Sequence, residues 1–495
     1  VKRSKFSLSH YKLLTCKMGQ LVPVTWFEAL PGDTIQHATS ALIRCAPLVS
    51  PVMHPVHVRF HHWFVPNRII WQAIDDEGWE GYITGGADGS NTDVHPYIDF
   101  STEPAVGSLA DYLGVPTEVS DADLRVNALP FRAYQTIWNE FYRDEDLNTK
   151  ANVANVAGAD AFTSTELQFI SWEKDYLTSS RPWVLKGPSV TLPLGTHAPV
   201  GEFNAGGMQL LEMAASGSIS QLQRIGGGNT TTGDDLMADL SQATSVDINT
   251  VRQAFALQRF EEARARYGSR YTEYLRYLGV RSSDARLQRP EYLGGGRQTI
   301  QFSEVLQTGG TSAGAQTGVG QMAGHGISAM RTNRYRRFFE EHGIVMTLMS
   351  VRPRTMYSQR VKRGFLRGMT NGMGGIAGNK TDYWQRELQH IGQQGVCGLE
   401  ADVRLDGNVV FGYQDRYDEY RREESSVAGL FRSSLDTWHF SREFGSDPAL
   451  NSTFTQCVPA TRVFADTSAD NLYVMANHSI QARRLVAGEG SSMTF

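Results

Sequence analysis

The sequence is poor in cysteine, and the four it has, Cys16, Cys45, Cys397 and Cys457, lie far apart. No C-x-x-C pair occurs, so the spacing of a zinc site and that of a disulfide framework are both missing, and reduced, partly buried thiols are expected. Long apolar runs are missing too. Ile344 to Val351 is among the longest and has strand length, well short of the roughly 18 residues of a membrane-spanning helix. No membrane insertion is therefore expected. Lys2, Arg3 and Lys5 open the chain, but His10, Lys12 and Lys17 follow where a secretion signal needs an apolar segment, so a cleaved signal is not expected either. Positive charge is not in excess: 47 Lys and Arg stand against 52 Asp and Glu, a net charge of −5. A protein that condensed nucleic acid alone would need a large basic surplus, so any DNA contact has to be local or shared with a basic partner.

What is present is an ordinary globular composition, 41 % hydrophobic and 20 % charged over 495 residues, which suits a chain that folds in water. The length allows roughly three average domains, or one large β core with long insertions. From Val22 to Trp71 short strands alternate with Pro and Gly signals, Pro31-Gly32-Asp33 being one clear turn. Within residues 51 to 71, Val56, Val58, Phe60 and Phe64 share one side, while His57, Arg59, His61 and Trp63 take the other. That is the pattern of a half-buried antiparallel strand.

The middle of the chain reads as helices and loops. Pro130 starts a helix with Phe131, Tyr134, Trp138 and Phe141 on one face. A second helix follows Asp247, turns Ile248, Val251 and Phe255 inward and stops at Gly268; Tyr271, Tyr274, Leu275 and Leu278 predict a third before Gly279. Gly195 to Asp235 and Gly309 to Gly326 read as long surface loops. Strand character is expected again after Gly343, in Ile344 to Val351, Asn408 to Tyr413 and Leu472 to Ala476, with a short helix carrying Trp384, Leu388 and Ile391. Strands at both ends of a loop-rich centre fit an antiparallel barrel or sandwich that closes its N-terminal strands on its C-terminal ones.

Motifs for chemistry are weak. Of His54, His57, His61 and His62, only His57 and His61 share a strand face, and no nearby carboxylate or thiol completes a metal site, so a polar face or subunit contact is favoured. The Gly-rich run 364 to 378 ends in Asn379-Lys380-Thr381, where a phosphate loop needs Gly directly before Lys-Thr. There is no G-x-S-x-G elbow, and Asp144, Glu145 and Asp146 read as solvated charges at a helix end. No catalytic residue, metal or cofactor is assigned. The suggestive feature is arginine: Arg331, Arg334, Arg336 and Arg337, then Arg352 and Arg354 followed by Arg360, Lys362, Arg363 and Arg367, and Arg483 with Arg484. With Tyr335 and Tyr357 interleaved, they suit single-stranded DNA or a subunit interface equally, since both use the planar, bidentate guanidinium.

Several separate segments carry a resemblance: MGQLVPVTWFEALPGDT (18 to 34), VPNRIIW at the end of 51 to 71, LPFRAYQTIWNEFYRDEDLN (129 to 148) and DYLTSSRPWVLKGPSVTLPL (175 to 194). SSDARLQRPEYLGG (282 to 295), FGYQDRYDEYR (411 to 421) and FRSSLDTWHF (431 to 440) follow in order. In these the chain resembles the major capsid proteins of microviruses, small isometric single-stranded-DNA bacteriophages, and in particular their gokushovirus-like branch. The match runs from Ser4 to about Phe454; residues 364 to 381 depart from the pattern by their glycine content, and the tail after Phe454 is only weakly similar.

The resemblance implies a mainly β protein, an eight-stranded antiparallel viral jelly roll with long, partly helical insertions, forming a T=1 icosahedral shell around circular single-stranded DNA. It implies N-terminal barrel strands in 1–75, insertions in 76–340, and C-terminal strands in 341–495 with a further insertion at about 358–405. A variable loop at about 195–245, with Gly206, Gly207, Gly226, Gly227 and Gly228, corresponds to the segment that projects at the threefold axes and helps attach to a host surface receptor. The implied partners are further copies of the chain, the genome, a small basic DNA-binding protein, an internal scaffolding protein and a DNA pilot protein. The implied location is the virion, after assembly in the bacterial cytoplasm. A rival reading is a jelly-roll protein that binds or cleaves glycans, which requires an aromatic cleft with paired carboxylates; a shell protein is expected to have flat contacts and no such cleft.

Overall fold

Apolar and polar residues alternate along the first strands, and the alternation builds a sandwich. The computed structural model describes residues 3–72, 78–84, 92–117, 124–183, 186–187, 200–204, 207–213, 222–224, 235–238, 248–267, 273, 275–276, 279, 281, 283–306, 322–359, 393–396, 411–415, 418–444 and 448–486. Five strands come first: β1 (Ser4–Ser7), β2 (His10–Cys16), β3 (Leu21–Ala29), β4 (Thr34–Cys45) and β5 (Val56–Pro66). Short helices α1 (Asn67–Ile70), α2 (Trp79–Thr84) and α3 (Leu109–Leu113), the hairpin β6 (Tyr97–Phe100) and β7 (Leu124–Asn127), and the longer α4 (Leu129–Phe141) follow. Then come β8 (Val200–Asn204), β9 (Gly207–Met213), β10 (Leu222–Arg224), β11 (Asp235–Ala238) and α5 (Ile248–Tyr267). The chain ends with β12 (Glu291–Leu306), β13 (Met322–Arg331), β14 (Tyr335–Phe338), β15 (Gly343–Pro353), the pair β16 (Gln393–Val396) and β17 (Gly412–Asp415), and β18 (Leu472–Arg484).

Eight strands are hydrogen-bonded in the order β1-β18-β4-β13-β12-β5-β15-β3, with β2 also on β18 and β14 also on β4. Every pairing along this path is antiparallel. Strand β12 belongs to both layers: Ile300 pairs with Val56 of β5, and the next residue, Gln301, pairs with Ile327 of β13. A Cβ on Gly295 would lie 2.1 Å from the Phe60 carbonyl oxygen, so only glycine lets β12 lie this close to β5 along their shared ladder. The result is a jelly-roll-like sandwich with long insertions, as the sequence predicted.

The apolar residues form two stacked cores. Val24, Ile43, Val58, Phe60, Met349 and Val474 pack between the sheets. Ile344, Met346 and Leu348 of β15 point the other way, with Trp63, onto Phe131, Tyr134, Ile137 and Trp138 of α4. Burial on both faces explains the continuous apolar run in β15. It also buries residues 62 to 66 of β5, which is half-buried only in its first part. The polar tips of two of these aromatic side chains are satisfied: Tyr134 donates to the Leu21 carbonyl at 2.7 Å, and Trp138 Nε1 to that of Phe169 at 2.7 Å.

Several expectations need correction. The strands of the sandwich resume at Glu291, not after Gly343. β12 and β13 were hidden because glycines and small residues replace the bulky alternation in YLGGG and AGHGISA. The second expected loop overlaps β13 from Met322; residues 307–321 lie outside the described ones. Residues 183–267 form a separate compact unit, in which β10, β9, β8 and β11 make a four-stranded antiparallel sheet where an open loop was expected. Helix α5 runs from Ile248 to Tyr267 as expected, but Ile248 and Phe255 are exposed rather than turned inward. Asp144 is buried, with Lys174 and Arg181 against it, and Asp146 pairs with Arg181 at 3.2 Å, so these carboxylates are structural ion pairs and not solvated charges.

Strand β18 continues eight residues past Ala476, and the strand expected at Asn408 is β17 from Gly412. Leu275 is helical and Gly279 takes a φ of +79°; Tyr271, Tyr274, Leu278, Trp384, Leu388, Ile391 and the Gly-rich run 364 to 378 lie outside the described residues. Cys16, Cys45 and Cys457 are buried free thiols.

Candidate nucleic-acid interface

The outer surfaces of the two sheets differ. The surface of β5 and β15 is covered by α4, whereas no helix of the sandwich's own unit, among the described residues, packs broadly on that of β1, β2, β18, β4, β13 and β14. Period-two alternation sets what this bare face shows. In β4, Ile43 and Cys45 go inward and leave Arg44 and Leu42 outside; in β18, Val474 and Ala476 go inward and leave Tyr473 and Met475 outside.

Register assembles these residues into rows. Tyr473 lies between Thr15 and Arg44, and Arg44 lies next to Ile327. Asn477 lies between Tyr11 and Ser40, and Ser40 next to Arg331. Gln36 lies between Gln481 and Arg336, and Arg483 between Lys5 and Thr34. The outward positions of these paired strands thus hold Lys5, Arg44, Arg331, Arg336 and Arg483 and no Asp or Glu. Asp470, which accepts from Thr15 Oγ1 at 2.5 Å, stands at the rim. Tyr11 is 74 % exposed and Tyr473 44 %. Exposed guanidinium forks beside exposed aromatic rings can pair with phosphates and stack on unpaired bases.

The structure sorts the predicted arginines. Arg331, Arg336 and Arg483 share this face, and Arg334 is exposed in the β13–β14 connection. Arg337 points off the other side of β14 and pairs with Glu291 at 2.8 Å. Arg352 is half-buried on β15, donates to the Ser171 carbonyl at 2.7 Å and lies 3.7 Å from Glu173; burial pulls its pKa down. Arg354 is exposed just past β15, in the other sheet. Arg484 turns inward to Asp33, at 3.0 Å, and to the Glu28 carbonyl. Lys5, Arg44, Tyr11 and Tyr473 were missed because they are dispersed in sequence; alternation along 34 to 45 and 472 to 484 was the signal that would have found Arg44 and Tyr473. Of the predicted projecting glycines, Gly207 opens β9, and Gly206, Gly226, Gly227 and Gly228 lie outside the described residues.

Among the described residues no group of His, Cys, Asp or Glu is arranged to hold a metal. An aromatic-lined cleft of about 900 Å³ does exist, contrary to what a shell protein was expected to show, and Trp63, Phe141, Tyr142 and Tyr292 line it. Its one lining carboxylate among the described residues, Asp284, is tied to Arg289 at 2.6 Å, so the acid and base pair of a glycoside hydrolase is not found there.

Residues 1–489 match the family described as capsid protein (F protein). The chain belongs to this phage capsid protein family. It is 34 % identical to the capsid protein VP1 of Bdellovibrio phage phiMH2K, over 94 % of this chain and 90 % of that one. It is 30 % identical to the capsid protein VP1 of Chlamydia phage 1, over 94 % and 91 %, and 22 % identical to capsid protein F of Escherichia phage G4, over 71 % and 66 %. A capsid protein of this family is a structural component of the virion and not an enzyme. No helix among the described residues is long and apolar enough to cross a membrane.

Proposed function

We propose that the chain is the major capsid protein of a microvirus, that it closes into a T=1 icosahedral shell around circular single-stranded DNA, and that the bare cationic face is turned to the genome. The observation that carries the orientation is the contrast between the sheets: one is roofed by α4, the other offers five cationic residues, two exposed tyrosines and no carboxylate. The chain's net charge of −5 leaves most of the packed phosphate charge to other cations. A small basic DNA-binding protein supplies them in this reading, and scaffolding and pilot proteins assist assembly. The unit 183–267, which includes the segment expected to project at the threefold axes, serves contact with a host surface receptor.

Coexpression with the scaffolding partner and a packaged genome, followed by negative-stain electron microscopy and a nuclease-protection assay, tests both parts. Uniform icosahedral particles are expected, and a variant with Arg44, Arg331, Arg336 and Arg483 all changed to Ala should form particles that protect less DNA. A soluble monomer or dimer under every condition defeats the shell reading; full protection by the variant defeats the assignment of the face.

A further inference from the structure

Four histidines from four strands form a file through the sandwich. His10 of β2 is exposed at one end, followed by His478 of β18, His37 of β4 and His62 of β5, and the last three have no exposed surface. Their ring centroids are 5.0 Å (His10 to His478), 5.5 Å (His478 to His37) and 4.6 Å (His37 to His62) apart. The last step crosses between the sheets, because β4 and β5 lie in different layers.

The groups facing these rings are neutral or cationic. Thr39 Oγ1 of β4 lies 3.0 Å from His478 Nδ1 and 3.2 Å from His37 Nε2, and Tyr335 of β14 lies 3.3 Å from His37 Nδ1. Thr347 of β15 and Thr332, just past β13, hold the two nitrogens of His62 at 2.9 and 3.2 Å. Thr25 of β3 holds His10 Nε2 at 3.0 Å, and Phe27 of the same strand packs edge-on to His37. His478 Nε2 has no hydrogen-bond partner among the described residues. Among the described residues no carboxylate hydrogen-bonds any of the four rings; the charges that act on the three buried ones are Lys12 of β2 and the histidines themselves, including His61.

Such a site tolerates neutral imidazole only. A proton placed on His478, His37 or His62 is a buried cation without a counter-charge, and a second proton is a like charge about 5 Å away, on the opposite layer if it sits on His62. We propose that the histidine file is a proton-operated release: the closed barrel holds the three buried rings neutral, acidification favours the opened form in which they take up protons and repel one another, and the protein loosens from inside rather than at its surface. The direction of titration agrees. Burial, and after it the neighbouring histidines, push His62 and His478 down to about 3 and His37 to about 2. The folded form is therefore fully favoured above the ordinary histidine range, near 6.5, and loses stability as pH falls below it.

The test compares assembled particles of the wild type and of His37→Gln with His478→Asn, by thermal unfolding between pH 7.5 and pH 4.5. Each buried neutral histidine contributes about a tenfold rise in the unfolding equilibrium per pH unit below its ordinary range, so the wild type should destabilise steeply and the double variant far less so. Parallel pH profiles overturn the proposal. A titration of the wild-type histidine ring protons by NMR keeps it testable should the variant not fold: three rings that stay neutral down to pH 5 support the proposal, and midpoints near 6.5 for those rings overturn it.

Discussion

Arg132 of α4 donates from Nε to Asp160 Oδ2 at 2.7 Å, and neither side chain has any exposed surface. The same guanidinium donates to the carbonyls of Ile70 and Val156, and Asp160 also accepts from the Thr163 hydroxyl at 2.7 Å. One buried pair thus ties α4 to the chain leaving β5 and to the loop at 156–163. Asp160→Asn or Arg132→Met leaves an uncompensated buried partner and should cost about 3–5 kcal/mol, measured by urea denaturation.

The same pair has a pH signature. Burial works to raise the Asp160 pKa, but the hydrogen bonds from Thr163 and Arg132 outweigh it and hold the carboxyl below its usual range. Its stabilisation is therefore present above the ordinary carboxylate range and is lost as pH falls through it. The acid loss attributable to Asp160 should begin near pH 4 and vanish in Asp160→Asn, whereas that of the histidine file begins near pH 6.

On the cationic face, binding of an oligo-dT strand should weaken with salt. Each phosphate contact contributes a slope of about 0.7 in log K against log salt for single strands. Replacing Arg44, Arg331, Arg336 and Arg483 by Ala together should reduce the slope by up to about 3. Arg352→Ala and Arg484→Ala should leave it unchanged and lower the melting temperature instead, since these two side chains bond within the fold. An unchanged slope in the quadruple variant would remove the face from the binding surface.

Gly295→Ala forces a Cβ to within 2.1 Å of the Phe60 carbonyl oxygen. Because backbone and not a movable side chain is in the way, the cost should be about 3 kcal/mol or more, at the upper end of overpacking penalties. Soluble yield and circular dichroism report it.

Cys45 and Cys457 are buried, and burial pushes both thiols up to about 12. Neither should react with iodoacetamide at pH 8 until the protein unfolds, whereupon mass spectrometry should show both modified. Modification of Cys457 in native protein would contradict its burial.

Some of this was settled by sequence. Pro and Gly signals marked out the short strands from Val22 onward, and period-two alternation located β5; the apolar run Ile344 to Val351 located the doubly buried β15; Pro130 and the aromatic spacing after it placed α4. These are local signals, in which each residue's neighbours along the chain already record which side is buried. The family pattern was legible for the same reason, in segments such as 129 to 148 that fold as one piece. Strands β12 and β13 escaped because their glycines answer to close backbone approach across the sheet, a distant cause without a local period. The inward histidines escaped as well: His37 and His478 are 441 positions apart, and only strand pairing brings them together. The cationic face was legible in part. Arg331, Arg336 and Arg483 stood out as candidates and Arg44 did not, and Arg484 differs from Arg483 only in parity; the tertiary fold turned one outward to solvent and the other inward to Asp33, because adjacent residues on a strand must face opposite ways.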